Sequence, residues 1–368
     1  TVAHRGPWVS ASAAATHHRT LRNTLTGLTS DDASLPNITG LGFTSGYGPA
    51  PILYAGNYGD ALCAPGATYS INFDGAIVVC DRGIYARLDK AKTVAAAGAG
   101  GFVLANDSAS GNSLSGDAYA IPGVHITYND GVALKAWMAS NTNPVGTITG
   151  FSENLEPANG DIMAAFSSRG PNSTFDVLKP DLTTPGVDIW AAIHTPDPNN
   201  PGDDEYGYIS GTSMASPHTA GAAALITALH PSWSSAEILS ALMMTAERNV
   251  LRENGITSAD WFDMGAGRVD LNLAADTGLV LDETYENFLH ADPTLGGDVK
   301  TLNTPSLTNS LCLQNCDWTR TFTSVADTDV EWTITSSGEV PVNAEPDVFT
   351  ITAGSTQEVV FTADVSAL

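Results

Sequence analysis

The sequence has 368 residues, enough for two or three domains, and 43% of them are apolar, enough to bury real cores. Its 15 Lys and Arg face 40 Asp and Glu, a formal net charge of −25, which repels nucleic acid and anionic membranes and keeps the surface well solvated. No run of about 18 apolar residues is present to span a bilayer.

The chain opens at Thr1, without Met and without a signal peptide, in what reads as mid-domain sequence; the expectation is a fragment of an exported protein. Residues 1–35 hold Pro7-Trp8-Val9 and then polar and β-branched residues up to Leu28. At Pro36 the text turns to Gly, Pro and Tyr, which predicts a domain boundary. Between Ile52 and Trp137 strands and helices alternate. Ala76-Ile77-Val78-Val79 predicts a buried strand. Ala86–Ala97 predicts a helix ended by Gly98, Gly100 and Gly101. Phe102–Ala105 and Val124–Ile126 predict further strands, and Gly131–Ala139 a helix. Ala55-Gly56-Asn57 is expected to be a turn leading to Cys63. A small α/β module over 36–147 follows.

Residues 148–290 form the next unit. Ser213–Leu229 predicts a helix stopped before Pro231, and its Ala, Gly, Leu and Ile content predicts burial on all sides. A second helix starts at Ser234, which with Glu237 makes a capping box; Ile238, Leu239, Leu242 and Met243 supply its apolar stripe. The helices are expected to stop after Asp282. Over 291–368, alternating segments at 318–323, 330–334, 348–351 and 358–361 predict a β-sandwich, with Trp318 and Trp332 in its core.

Four cysteines fall in two close pairs, Cys63 with Cys80 and Cys312 with Cys316, as in an oxidising, secreted setting, although four thiols allow three connectivities. Two thiols at Cys312 and Cys316 without a second pair argue against zinc and for a disulfide. Asp203-Asp204-Glu205 could bind calcium but lacks the spaced ligands of a calcium loop, so a solvated loop is the default; no metal site and no organic cofactor are assigned. Asn37, Asn106 and Asn172 lie in glycosylation sequons.

The strongest chemical signal is Ser210-Gly211-Thr212-Ser213-Met214-Ala215-Ser216-Pro217-His218-Thr219-Ala220-Gly221. A nucleophilic serine needs close substrate approach, which Gly211 permits. It also needs a site for the developing oxyanion, which the free N–H groups and dipole of a helix start supply at Ser213. Pro217 breaks the local helix rules early, as functional sites do. The motif is not the Gly-x-Ser-x-Gly elbow.

This stretch resembles the active-site serine motif of the subtilisin-like proteases. Phe166-Ser167-Ser168-Arg169-Gly170-Pro171 and Lys179-Pro180-Asp181-Leu182-Thr183-Thr184-Pro185-Gly186 resemble the family segments before it, with Thr184 where Ala is usual. His230-Pro231-Ser232-Trp233 and Gly265–Val269 resemble those after it. The module at 36–147 resembles a protease-associated domain inserted in the catalytic domain, as in plant-type subtilases, with Cys63–Cys80 as its disulfide. Residues 291–368 resemble the fibronectin-III-like domain that follows. The resemblance implies an α/β, parallel-sheet catalytic domain over 1–35 and 148–290, and peptide-bond hydrolysis with Ser213 as nucleophile. The backbone of Gly211, Thr212 and Ser213 would lie around the oxyanion.

The family's Asp, His and oxyanion Asn precede the Pro7-Trp8 segment and are absent here. Asp276-Thr277-Gly278, Ala55-Gly56-Asn57, His17-His18 and His218 imitate parts of those motifs in the wrong order or context. The expectation is therefore an inactive fragment of an active, secreted endopeptidase acting on proteins or peptides. The alternative is a non-catalytic homologue that binds peptides or surfaces.

Overall fold

A computed structural model describes residues 2–194 and 204–366, without the side chains of His194, Asp204 and Glu205. Strand β1 (Ser12–Ala15) opens the first unit. The chain then runs through β2 (Arg19–Thr29), β3 (Ile38–Leu41), β4 (Tyr47–Tyr54), β5 (Ile77–Asp81), α1 (Arg87–Ala96), β6 (Gly101–Ala105), β7 (Gly123–Ile126), α2 (Tyr128–Ser140), β8 (Val145–Ile148) and β9 (Ser152–Leu155). These eight strands form one sheet in the order β3-β7-β6-β5-β4-β8-β2-β9. At β10 (Leu182–Pro185) the chain returns to pair in parallel with β1, Ser12 opposite Leu182. The second unit is thus an insertion between two neighbouring strands of the first.

Inside the insertion, β4, β5, β6 and β7 run parallel. The continuous apolar runs of β5 and β6 follow from burial on both faces. Ile77 and Val79 of β5 pack with Val103, Ile126, Leu134 and Trp137 on one side. Val78 and Cys80 pack with Phe73, Ala91, Val94 and Phe102 on the other. Cys63 and Cys80 are bonded, across 17 residues.

The boundaries expected at 35 and 147 are corrected by this sheet. Strand β2 belongs to it, pairing Leu25 with both Ile38 and Ile148, because Leu21, Leu25 and Leu28 bury their side chains while Arg19, Thr20 and Arg22 stay nearer solvent. Strand β9, after residue 147, closes the other edge against β2. The sheet therefore takes in 19–155.

After β10 come a hairpin of β11 (Ile189–His194) and β12 (Asp204–Ile209), then α3 (Thr212–Leu229), α4 (Ser235–Met244), α5 (Trp261–Met264) and α6 (Leu271–Ala275). The capping box of α4 is formed: Ser234 Oγ accepts from Glu237 N, and Glu237 Oε2 accepts from Ser234 N. Leu182, Ala222, Ile226, Ile238, Leu242 and Ala274 make the core of this unit.

Helix α3 is not buried on all sides. Ala215, Thr219, Ala222 and Ile226 face the core, whereas Leu225 is 57% and Leu229 61% exposed. One face packs on β1, β10, α4 and α6, and among the described residues nothing covers the other.

Strand β13 (Leu279–Val280) follows, then a short helix α7 (Tyr285–His290). The expectation that helices end after Asp282 overlooked the cap at Thr284, whose hydroxyl accepts from Asn287 N. The chain ends in β14 (Asn315–Ser324), β15 (Val330–Thr333), β16 (Val342–Glu345), β17 (Val348–Ile351) and β18 (Thr356–Asp364). They form a sheet β13-β14-β18-β16 and a pair β15-β17, which share a core of Phe322, Trp332, Phe349, Ile351 and Val359. Trp318 is buried in a neighbouring cluster with Cys316. Cys312 and Cys316 are bonded.

Candidate active site around Ser213

The turn that carries Ser213 is built where β10 meets α3. Asp181 Oδ2 accepts from Ala11 N at 2.7 Å and from Lys179 Nζ at 2.6 Å, fixing the start of β1 beside β10. Burial raises the Asp181 pKa, and Lys179 opposes the rise. Ser167 Oγ accepts from Ala14 N at 3.0 Å. Thr184 spends its hydroxyl on Ala215 O at 2.7 Å, so this polar group is buried with a partner. Ser12 Oγ and Thr219 Oγ1 lie 2.7 Å apart, a second tie between β1 and α3.

Gly186 follows β10 and receives a hydrogen bond from Gly211 N at 2.8 Å. A Cβ on Gly186 would come within 2.7 Å of Ala14 Cβ and 2.9 Å of Gly211 O, so only glycine lets the turn seat there. A Cβ on Gly211 would meet nothing closer than Met214 Sδ at 3.5 Å. The protein's own packing does not demand glycine at 211, and its bare Cα leaves room for another chain to approach.

Gly211 is the N-cap of α3, Thr212 its first residue and Ser213 its second. Ser213 is exposed, and its N–H lies in the first turn, where helices lack partners for their donors. Pro217, inside the first turns, cannot donate to Ser213 O, which loosens the helix there. Ser213 Oγ has no hydrogen-bond partner among the described residues. His218 is exposed and turned back on its helix, Nδ1 lying 2.8 Å from Met214 O. His17 sits beside the backbone of Val187 and Asp188; burial lowers its pKa despite those hydrogen bonds, and the charges of Arg19 and His218 lower it further. Neither imidazole is bonded to Ser213.

Asp276 ends α6, and Thr277 Oγ1 donates to Leu279 O. Ala55–Asn57 is a single turn of 3-10 helix. Among the described residues no cluster of His, Cys, Asp and Glu could hold a metal. In the acidic run, Asp203 lies outside the described residues. Of the sequons, Asn106 is buried and donates to Gly111 O and Ser113 O, so it is closed to modification as folded.

Residues 81–267, half of the chain, match the Subtilase family profile. The chain belongs to the subtilase family. Among Arabidopsis thaliana proteins, subtilisin-like protease SBT1.6 is 37% identical over 279 residues, covering 71% of this chain and 36% of its own length. SBT5.4 is 42% identical over 246 residues, covering 64% of this chain and 32% of its own. SBT1.7 is 35% identical over 362 residues, covering 86% and 47%. This subtilase chain thus spans about a third to a half of these curated relatives. No described helix is long and apolar enough to cross a membrane.

Sequence reasoning missed Asp188 and Ser210 as a pair. Asp188 Oδ1 accepts from Ser210 Oγ at 3.0 Å, and Asp188 N donates to the same hydroxyl at 2.9 Å. A lone Asp after Pro-Gly-Val carries no signal that it will fold back onto a serine 22 residues later.

Proposed function

We propose that this chain is the serine-bearing portion of a secreted serine endopeptidase and that Ser213 is its nucleophile. The observation that carries the reading is Ser213 itself, exposed in the first turn of α3 and preceded by a glycine that the fold does not need for its own packing. In the reaction, a base takes the Ser213 Oγ proton while Oγ bonds to the peptide carbonyl carbon. The base then protonates the leaving amine as the C–N bond breaks, and water releases the acyl group. The Ser213 N–H helps hold the oxyanion.

Nothing described here serves as that base, and an unassisted serine is a poor nucleophile. We assign the base, its orienting acid and the rest of the oxyanion site to upstream sequence of the full-length protein. The bare apolar face of α3, with Leu225 and Leu229, is where that portion packs. The insertion is a protease-associated domain and the C-terminal sheets a fibronectin-III-like domain. The two disulfides fit an extracellular site of action. The lack of a partner for Ser213 Oγ favours one other reading, a non-catalytic homologue that binds peptides.

Labelling of the full-length protein by a fluorophosphonate probe separates the two. Modification at Ser213, lost in Ser213→Ala, is expected for the protease; the 368 residues alone should stay unlabelled. A folded, fully processed parent that does not label is a binding protein.

A further inference from the structure

Asp188 lies between the insertion and the nucleophile turn. It is 3% exposed and holds φ at 51°, a left-handed conformation uncommon outside glycine. Its Oδ1 accepts two hydrogen bonds from different units: Gly116 N of the insertion at 2.8 Å and Ser210 Oγ at 3.0 Å. Ser210 immediately precedes Gly211, the N-cap of the helix that carries Ser213.

The partner loop is itself fixed. Arg87 Nε and Nη2 clamp Asp117 at 2.5 and 3.1 Å. Ser115 N donates to His125 Nδ1 at 3.1 Å. At Gly116 an added Cβ would press within 3.1 Å of Asp188 Oδ1 and the Phe43 ring, so the loop approaches as closely as glycine allows. A hydrogen-bonded path therefore runs from His125, through Ser115 and Gly116, to Asp188 and Ser210. No cation is bonded to the Asp188 carboxylate among the described residues. A buried carboxyl group in an uncommon backbone conformation is costly, and such costs concentrate at functional sites.

We propose that Asp188 is a positioning residue for Ser213: it ties the nucleophile turn to the 115–117 loop, so that the inserted domain sets the geometry of the serine. The proposal rests on Ser213 being the nucleophile. It gives the insertion a part in turnover beyond any surface it offers to other molecules.

The test uses the full-length protein with a peptide substrate and fluorophosphonate labelling. The variants are Asp188→Ala, Asp188→Asn, Ser210→Ala and the double Asp188→Ala/Ser210→Ala. Asp188→Ala should lower kcat about 10-fold with KM within about 2-fold, since the lost bonds orient the nucleophile and do not hold substrate. Asp188→Asn keeps an oxygen acceptor and should return kcat to within about 3-fold of wild type. Ser210→Ala should resemble Asp188→Ala, and the double variant should be no worse than either single one, because the two side chains act as one unit.

Wild-type kcat in folded Asp188→Ala, an Asn variant as poor as the Ala variant, or additive losses in the double would each overturn the proposal. If Asp188→Ala does not fold, wild-type kcat in Ser210→Ala does the same. A wild-type parent that neither labels nor turns over removes the nucleophile reading and this proposal with it. A parent that labels normally, with variants indistinguishable from it, removes only the proposal.

Discussion

His125 is expected to make the inserted domain acid-sensitive. The imidazole is fully buried on β7, with Nε2 2.7 Å from Asn106 Oδ1 and Nδ1 3.1 Å from Ser115 N and 3.0 Å from Ser115 O. With its proton on Nε2 the neutral ring donates to Asn106 and accepts from Ser115 N, whereas the charged ring would donate to Ser115 O. Burial first, then the Arg82 and Arg87 guanidinium groups, push its pKa down from 6.5 to about 3 against the Ser115 backbone hydrogen bond. A depressed folded value means that stability is present above the unfolded pKa and is lost as pH falls toward the folded one. At pH 4.5 the unfolded ring is charged and the folded ring is not, a gap of two pH units and about 3 kcal/mol. His125→Gln removes this dependence while keeping a donor and an acceptor, at a neutral-pH cost of about 1–2 kcal/mol for poorer bonds. Three units in one chain have no single unfolding free energy, so the assay is amide hydrogen exchange of β6 and β7, corrected for the intrinsic pH dependence. Wild-type protection should drop on the order of 100-fold more than that of the variant between pH 7 and 4.5. A wild-type-to-variant ratio that stays constant across that range would refute the argument.

Asp188 has the opposite sign. Burial first, then the Asp117 charge, raise its pKa from 3.8 to about 6, against the Gly116 and Ser210 hydrogen bonds and the Arg87 charge, with Tyr119 and His17 also facing it. The associated stability is complete below pH 3.8 and lost as pH rises through about 6, so Asp188→Asn should gain up to about 3 kcal/mol on wild type between pH 3.5 and pH 8. Amide exchange of β10 and α3 at the two pH values, corrected for the intrinsic pH dependence, with equal wild-type-to-variant differences would contradict this. Gly186→Ala forces a Cβ against Ala14 and Gly211; it should cost about 1–3 kcal/mol and slow fluorophosphonate labelling of the parent, whereas unchanged labelling would show that the turn tolerates the shift. Replacing Cys63 and Cys80 by Ser opens a link across 17 residues and should cost the insertion about 3 kcal/mol, measured by exchange of β5 and β6; unaltered protection would mean that the core holds without it.

What the sequence made legible was what local chemistry determines. Ser234 with Glu237 announces a helix start because both bonds close within four residues. Ile77–Val79 announces a strand buried on both faces because no polar residue interrupts it. The proposal for Ser213 rests on a dozen neighbours whose sizes and turns suit a nucleophile. The edges of the insertion were not, because β2 alternates Leu with Arg, Asn and Thr and can serve either unit until its partners β3, β8 and β9 are known. The open face of α3 was equally hidden: an apolar helix shows that it wants a cover, not whether the cover lies within the same 368 residues. Asp188 escaped because its meaning lies in Gly116 and Ser210, 72 and 22 residues away.

The position of the insertion explains why it can reach the serine at all. Strands β1 and β10 are parallel neighbours, and in open parallel sheets the reacting groups gather beyond the carboxyl ends of the strands. The insertion leaves from the carboxyl end of β1, after Ala15, and the turn that carries Ser213 is reached from the carboxyl end of β10, through Gly186 and the β11–β12 hairpin. Both departures use the same edge, so a module grown there borders the site without rearranging the core. The contact from Gly116 to Asp188 then needs only one short loop, clamped by Arg87 and His125, to join the two units. An insertion at the amino ends of these strands would lie across the sheet from Ser213 and would have no comparable route to the turn that carries it.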